Sequence, residues 1–281
     1  MRLGAHLSIA KGLPKAVEMA EQIGANTFAF FTRNPRGGAK REIGEAEIEA
    51  WNEARKQADL FPIVGHFPYT VNLGSPKDDT WNFGRQVVRE DLERANRFGA
   101  EFLVLHPGRF DPKVGEEAGI QRIIDALAWA LDGLEVKTVI LLEGMAGQGN
   151  ELGRSPEQLG KIIQGLGAPE NIGVCLDSCH QFAAGWDLTS HDGIDKMLEA
   201  YDKHVGLDRI RALHLNDSKT PCGSHRDRHE LIGKGTLGLE GIKSVVTHPF
   251  FQKLPMILET PINDYKEYAE EIQAVRRLLD D

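Results

Sequence analysis

Short apolar runs alternate along this chain with longer stretches whose apolar residues recur at every third or fourth position. RLGAHL (2–7) reads as a strand, and LPKAVEMAEQIG after it has helical spacing and a glycine stop. NTFAFF (26–31) is the second run, followed by the loop TRNPRGGAKRE and a helix over 45–58. PIVGH (62–66) leads into the elaborate loop FPYTVNLGSP and a helix over 84–98, and FLVLH (102–106) leads into a helix over 116–132. TVILLE (138–143) precedes the glycine-rich loop GMAGQGNELG and a helix that Ser155 caps and Pro156 opens. IGVCLD (172–177) is followed by a helix near 193–203, IRALHL (210–215) by a long loop and a helix near 238–246, and PMILE (255–259) by a terminal helix from about residue 264.

Eight strands thus alternate with eight helices. Strands that read as continuous apolar runs belong to a parallel sheet covered on both faces. Eight such units close most naturally into a (β/α)8 TIM barrel, an α/β fold, here expected as a single domain over 1–281. The doubly wound open sheet is the alternative, and GMAGQG does not match its dinucleotide fingerprint.

The 281 residues lie near the ~250 typical of such a barrel, and a composition of 41% hydrophobic and 27% charged residues is that of a globular chain rather than a disordered one. No basic start followed by an apolar region opens the sequence, and no run approaches the ~18 apolar residues of a membrane span, so a cytoplasmic protein without membrane contact is expected. Three cysteines, Cys175, Cys179 and Cys222, with no CxxC pair, argue against both a disulfide framework and a thiolate zinc site. The net charge of −9 excludes a protein that coats nucleic acid by charge alone, although it counts carboxylates that bound cations would neutralise.

Strand after strand finishes on a side chain able to hold a metal: His66, His106, Glu143, Asp177, His214 and Glu259. LDSCHQFAAGWD adds His180 three residues beyond Asp177, and DRHELIGKG adds Asp227 and His229. A lone histidine at a strand end is usually a hydrogen-bonded structural residue. Nine such groups on one barrel rim would repel and couple strongly unless cations lay between them. Nine ligands exceed what one ion takes, so two or three metals are implied, and imidazole mixed with carboxylate favours zinc or manganese. His6 ends the first strand and is read as a support beside these groups. Tyr69, in the loop after His66, is a candidate to project toward substrate, and Arg33, Arg36, Lys40 and Arg41 make the loop after the second strand basic.

HFPYTVNLG, LHPG, LEGMAGQG, LDSCHQFAAGWD, HLNDSK, DRHELIGKG and LETP, in this order, resemble the endonuclease IV family of apurinic/apyrimidinic endonucleases along essentially the whole chain. The resemblance implies three zinc ions. His66, His106 and Glu143 would hold the first; Glu143, as the catalytic bridging carboxylate, would share the second with Asp177, His214 and Glu259; His180, Asp227 and His229 would hold the third. It implies action on double-stranded DNA, cutting the phosphodiester 5′ to an abasic site to leave 3′-hydroxyl and 5′-deoxyribose phosphate ends, and clearing blocked 3′ ends; a monomer is expected. Arg36 and Tyr69 would contact DNA by family position. Departures from the family pattern, GGAKRE after Arg36, Thr70 after Tyr69 and RFDP after HPG, fall in the recognition loops. The competing reading is a metal-dependent sugar isomerase or epimerase of the xylose isomerase-like barrels, which has no need of His180, Asp227 and His229 as a further site.

Overall fold

The computed structural model describes residues 1–35 and 40–280. Eight parallel strands close a barrel: β1 (Arg2–His6), β2 (Thr27–Phe31), β3 (Ile63–His66), β4 (Phe102–Leu105), β5 (Val139–Glu143), β6 (Ile172–Asp177), β7 (Ile210–His214) and β8 (Pro255–Leu258). Neighbours in sequence are neighbours in space, and β1 pairs with β8 from Arg2 opposite Pro255 to Ala5 opposite Leu258. Parallel strands need a crossover, and helices supply it on the outside: α1 (Leu13–Gln22), α2 (Glu45–Gln57), α3 (Asp78–Arg97), α4 (Glu116–Leu131), α5 (Pro156–Gly165), α6 (Ser178–Ala184), α7 (His191–His204), α8 (Gly238–Thr247) and α9 (Tyr268–Asp280). The expected TIM barrel is the observed fold.

Two apolar regions hold it together. The larger lies between strands and helices, where Trp51 of α2 is fully buried and donates its indole N–H to Phe98 O at 2.8 Å. The smaller fills the barrel axis with Ala29, Val64, Val104, Leu141, Cys175, Ala212 and Ile257, one from each of seven strands. Side chains along a strand alternate in direction, so the residue two positions further on each strand also points inward. Those residues are Phe31, His66, His106, Glu143, Asp177, His214 and Glu259.

Ser155 caps α5 as expected, accepting from Gln158 N with Pro156 in the first turn. Three features differ from the sequence reading. α3 begins at Asp78, six residues before the expected start, because Asp78 and Asp79 suit the positive end of a helix where apolar spacing is absent. α6 occupies a stretch for which the apolar pattern predicts no helix; Asp177 caps it through His180 N, and Gly185 ends it in a left-handed conformation, φ 113°. Two short antiparallel pairs, Gly108–Arg109 with Glu151–Leu152 and Asp217–Ser218 with His229–Glu230, brace loops after the strands. Among the described residues no helix is long and apolar enough to cross a membrane.

Candidate metal centre

The upper inward layer puts Glu143 at the centre of four imidazoles. Its Oε2 lies 3.0 Å from His106 Nε2 and 3.3 Å from His66 Nε2; its Oε1 lies 3.2 Å from His180 Nδ1 and 3.3 Å from His214 Nδ1. Glu259 Oε2 approaches His214 Nδ1 at 3.2 Å, and Asp227 Oδ1 is 3.3 Å from both His180 Nε2 and His229 Nε2. Asp177 Oδ2 is 3.6 Å from His229 Nε2 and 3.9 Å from His214 Nδ1. All nine sequence candidates therefore converge. Sets with ligand atoms within 4.8 Å of one another include His66, His106 and Glu143; His66, His214 and Glu259; Glu143, Asp177 and His180; and His180, Asp227 and His229. Glu143 belongs to two of them.

The surroundings decide which atoms face inward. His66 places Nδ1 2.6 Å from Phe67 O, and His229 places Nδ1 3.1 Å from Glu259 O, so each ring donates that proton to a carbonyl and turns an Nε2 lone pair to the cluster. The backbone makes room as well. A Cβ on Gly144 would lie 2.6 Å from Gln181 Nε2 and 2.9 Å from Tyr201 Oη, so a side chain after Glu143 would have to displace the hydrogen-bonded ends of these two residues of α6 and α7.

The charges do not balance by ordinary hydrogen bonding. Burial disfavours the Glu143 carboxylate, but the charges of His106 and His214 outweigh it and hold its pKa well below the usual range. Burial likewise opposes charge on His180, yet Asp177 and Asp227 hold its imidazole well above its ordinary value. Burial drives His66 the other way, toward the neutral form. Nε2 of His180, His214 and His229 is buried with no hydrogen-bond partner among the described residues. Buried carboxylates facing buried imidazole lone pairs form a donor set that fits divalent cations of the zinc or manganese kind.

A pocket of about 370 Å³ opens on this layer and is also lined by His6, Phe31, Tyr69 and Tyr268. Tyr69 is half exposed, with its ring edge-on to Phe31. Arg36 lies outside the described residues. The other basic residues of its loop are held in ion pairs: Arg33 grips Asp91 through Nε at 2.8 Å and Nη2 at 2.6 Å, Lys40 reaches Glu90 at 2.7 Å, and Arg41 pairs with Glu47. Arg33 is buried in that pairing, so its charge is matched within the protein.

Residues 17–278 match the family model of the xylose isomerase-like TIM barrel. A curated relative from Moorella thermoacetica, named probable endonuclease 4, is 52% identical over 279 residues, covering 99% of both chains. The crystal structure of endonuclease IV from Thermus thermophilus superposes with a TM-score of 0.87 at 35% identity, over 100% of this chain and 99% of that one. The chain belongs to the endonuclease IV family. D-psicose 3-epimerase from Clostridium cellulolyticum superposes over 100% of this chain and 98% of its own with a TM-score of 0.70, but at 13% identity that likeness shows the fold alone.

Within this endonuclease IV chain, two residues that sequence reasoning passed over tie the cluster together. Asn216 is fully buried; its Nδ2 donates to Asp177 Oδ2 at 2.7 Å and its Oδ1 accepts from Glu259 N at 2.9 Å, bridging groups from β6 and β8 across β7. Ser178 Oγ locks Asn216 in place, accepting from its N at 2.8 Å and donating to its O at 2.7 Å. The motif HLNDSK contains Asn216, but an amide after a strand reads as a turn residue. His6, expected as a support, places Nδ1 2.8 Å from Glu259 Oε1.

Proposed function

We propose that this chain is a DNA-repair endonuclease that cleaves the phosphodiester 5′ to abasic sites in duplex DNA and also clears blocked 3′ ends. It acts as a cytoplasmic monomer, with the whole chain forming one catalytic domain. Three zinc ions would be held by His66, His106 and Glu143, by Glu143, Asp177, His214 and Glu259, and by His180, Asp227 and His229, and manganese would suit the same donors. When bound, such ions supply Lewis acidity toward a phosphoryl oxygen and make a water acidic enough to serve as nucleophile near neutral pH.

The protein's part is to orient and to exclude. Glu143 is the residue on which hydrolysis depends, because this one buried carboxylate would serve two of the metal sites. His66 and His229 hold their Nδ1 protons on backbone carbonyls and so keep their rings from turning. No serine or cysteine nucleophile is needed; Cys179 is buried, and burial first, then Asp177, pushes its thiol up to about 12. Tyr69, which lines this pocket, would fill the gap left when an abasic sugar leaves the helix, a cheap step because no base has to be unstacked.

The observation that carries this reading is the convergence of His180, Asp227 and His229 beside the separate group of His66, His106 and Glu143. A sugar epimerase would not require that additional set. Elemental analysis of the purified protein, paired with incubation on a duplex bearing one abasic position, tests it. About three ions per chain with nicking 5′ to the lesion is expected; one ion per chain with turnover of a ketose would reverse the assignment. Nicking should also survive brief EDTA without added magnesium, and rapid loss restored only by magnesium would contradict buried zinc.

A further inference from the structure

Tyr268 is the first residue of α9 and follows a tightly held turn. Asp264 accepts from Lys266 N while the Glu267 side chain accepts from Asp264 N, a reciprocal cap that fixes how the helix enters the barrel mouth. The Tyr268 side chain is only 4% exposed, yet it lines the pocket shared by Glu143 and Glu259. Its hydroxyl makes no hydrogen bond to another described residue, and the oxygen, unlike most of the ring, keeps access to the pocket. The contrast with Tyr201 is direct: that hydroxyl, fully buried, donates to Gln181 Oε1 at 2.9 Å. Buried phenols normally find such a partner. A donor held in a nearly buried ring and left open to a substrate pocket is placed for a ligand.

We propose that Tyr268 donates a hydrogen bond to the C1′ hydroxyl of the abasic deoxyribose and thereby determines preference for the natural lesion, an inference that rests on the abasic-site reading above. An internal abasic nucleotide has its 3′ and 5′ oxygens esterified. Its closed hemiacetal form therefore carries one hydroxyl, at C1′, and the remaining polar oxygens are mainly those of phosphate anions. Burial first, and then the carboxylates of Glu259 and Glu271, raise the phenol above its ordinary value, so near neutral pH it keeps its proton and serves as a hydrogen-bond donor. A site built to hydrogen-bond a substrate hydroxyl discriminates against the analogue that lacks it, because its own polar group is then left unpaired.

The test compares two duplexes, one with a natural abasic site and one with a tetrahydrofuran residue that lacks the C1′ hydroxyl, cut by wild type and by Tyr268→Phe. The variant keeps the ring, so folding and zinc content are checked by thermal melting and elemental analysis alongside. The ratio of kcat/KM on the natural site to that on tetrahydrofuran is expected to fall about tenfold in Tyr268→Phe, the scale of one hydrogen bond. An unchanged ratio overturns the inference, whether both rates fall together, as for a phosphate contact or a packing role, or neither moves. Loss of zinc from Tyr268→Phe would also overturn it, assigning the residue to support of the metal centre. Wild type that cuts neither duplex would instead remove the abasic-site reading itself, and this inference with it.

Discussion

Two successive layers inside the barrel share the same strands and are opposite in kind. The lower one, with Val64, Val104, Leu141 and Ile257 among its members, gains stability by excluding water and contains no charge. Two residues further along those strands, His66, His106, Glu143 and Glu259 form a layer whose buried charges stabilise the fold only when each is matched. The backbone ladder runs through both. The difference teaches that stability and chemistry are carried on adjacent floors of one scaffold, so each should be alterable without the other.

The most severe test of that separation is Glu143→Gln, which keeps shape and removes the shared charge. Nicking of an abasic duplex should fall roughly a thousandfold in single-turnover assays while the fold persists by circular dichroism. Wild-type rates would break the comparison from the upper side. Leu141→Ala, one layer down on the same strand, should cost about 3 kcal/mol in denaturant unfolding through the cavity it leaves, with metal content unchanged. Metal loss in that variant would mean that the floors are coupled.

A smaller effect is expected at the rim. Tyr69→Ala should weaken affinity for an abasic duplex about tenfold, the scale of one aromatic stacking contact, and leave metal content intact. Unchanged binding would remove Tyr69 from the DNA interface. The smallest effect concerns charges that never reach the pocket. Lys40 above all, against the opposing effect of burial, and then Gln86 and Arg33, lower the Glu90 carboxyl from 4.5 to about 2. A folded pKa below the unfolded one gives stabilisation that is full above about pH 4.5 and disappears as pH falls through about 2. Unfolding curves between pH 5 and 2 should therefore be flatter for Glu90→Gln than for wild type, by less than about 1 kcal/mol for so exposed a pair.

Several features were legible because they are local. An apolar run ending on histidine or carboxylate marks a strand whose last inward residue faces the mouth, and this placed His66, Glu143, Asp177 and His214 correctly. α6 is equally open to reading, from Asp177 as cap to Gly185 as stop, but the same stretch carries His180, whose value as a ligand masks its place in a helix. Asn216 and Arg33 were not legible. An amide acquires a bridging role only when Asp177 and Glu259 arrive on either side of it, and the guanidinium of Arg33 is matched by an aspartate 58 residues away.

By itself, then, the order of residues determined the eight-fold alternation, the parallel barrel and the kinds of side chain delivered to its mouth, since strand period and helix caps act over a few positions. Only closure of the barrel decided which oxygen faces which nitrogen and which cations are already paired within the protein. Glu143 meets His66 across 77 residues and His214 across 71, and contacts that distant depend on the register of intervening strands rather than on any pattern near either residue.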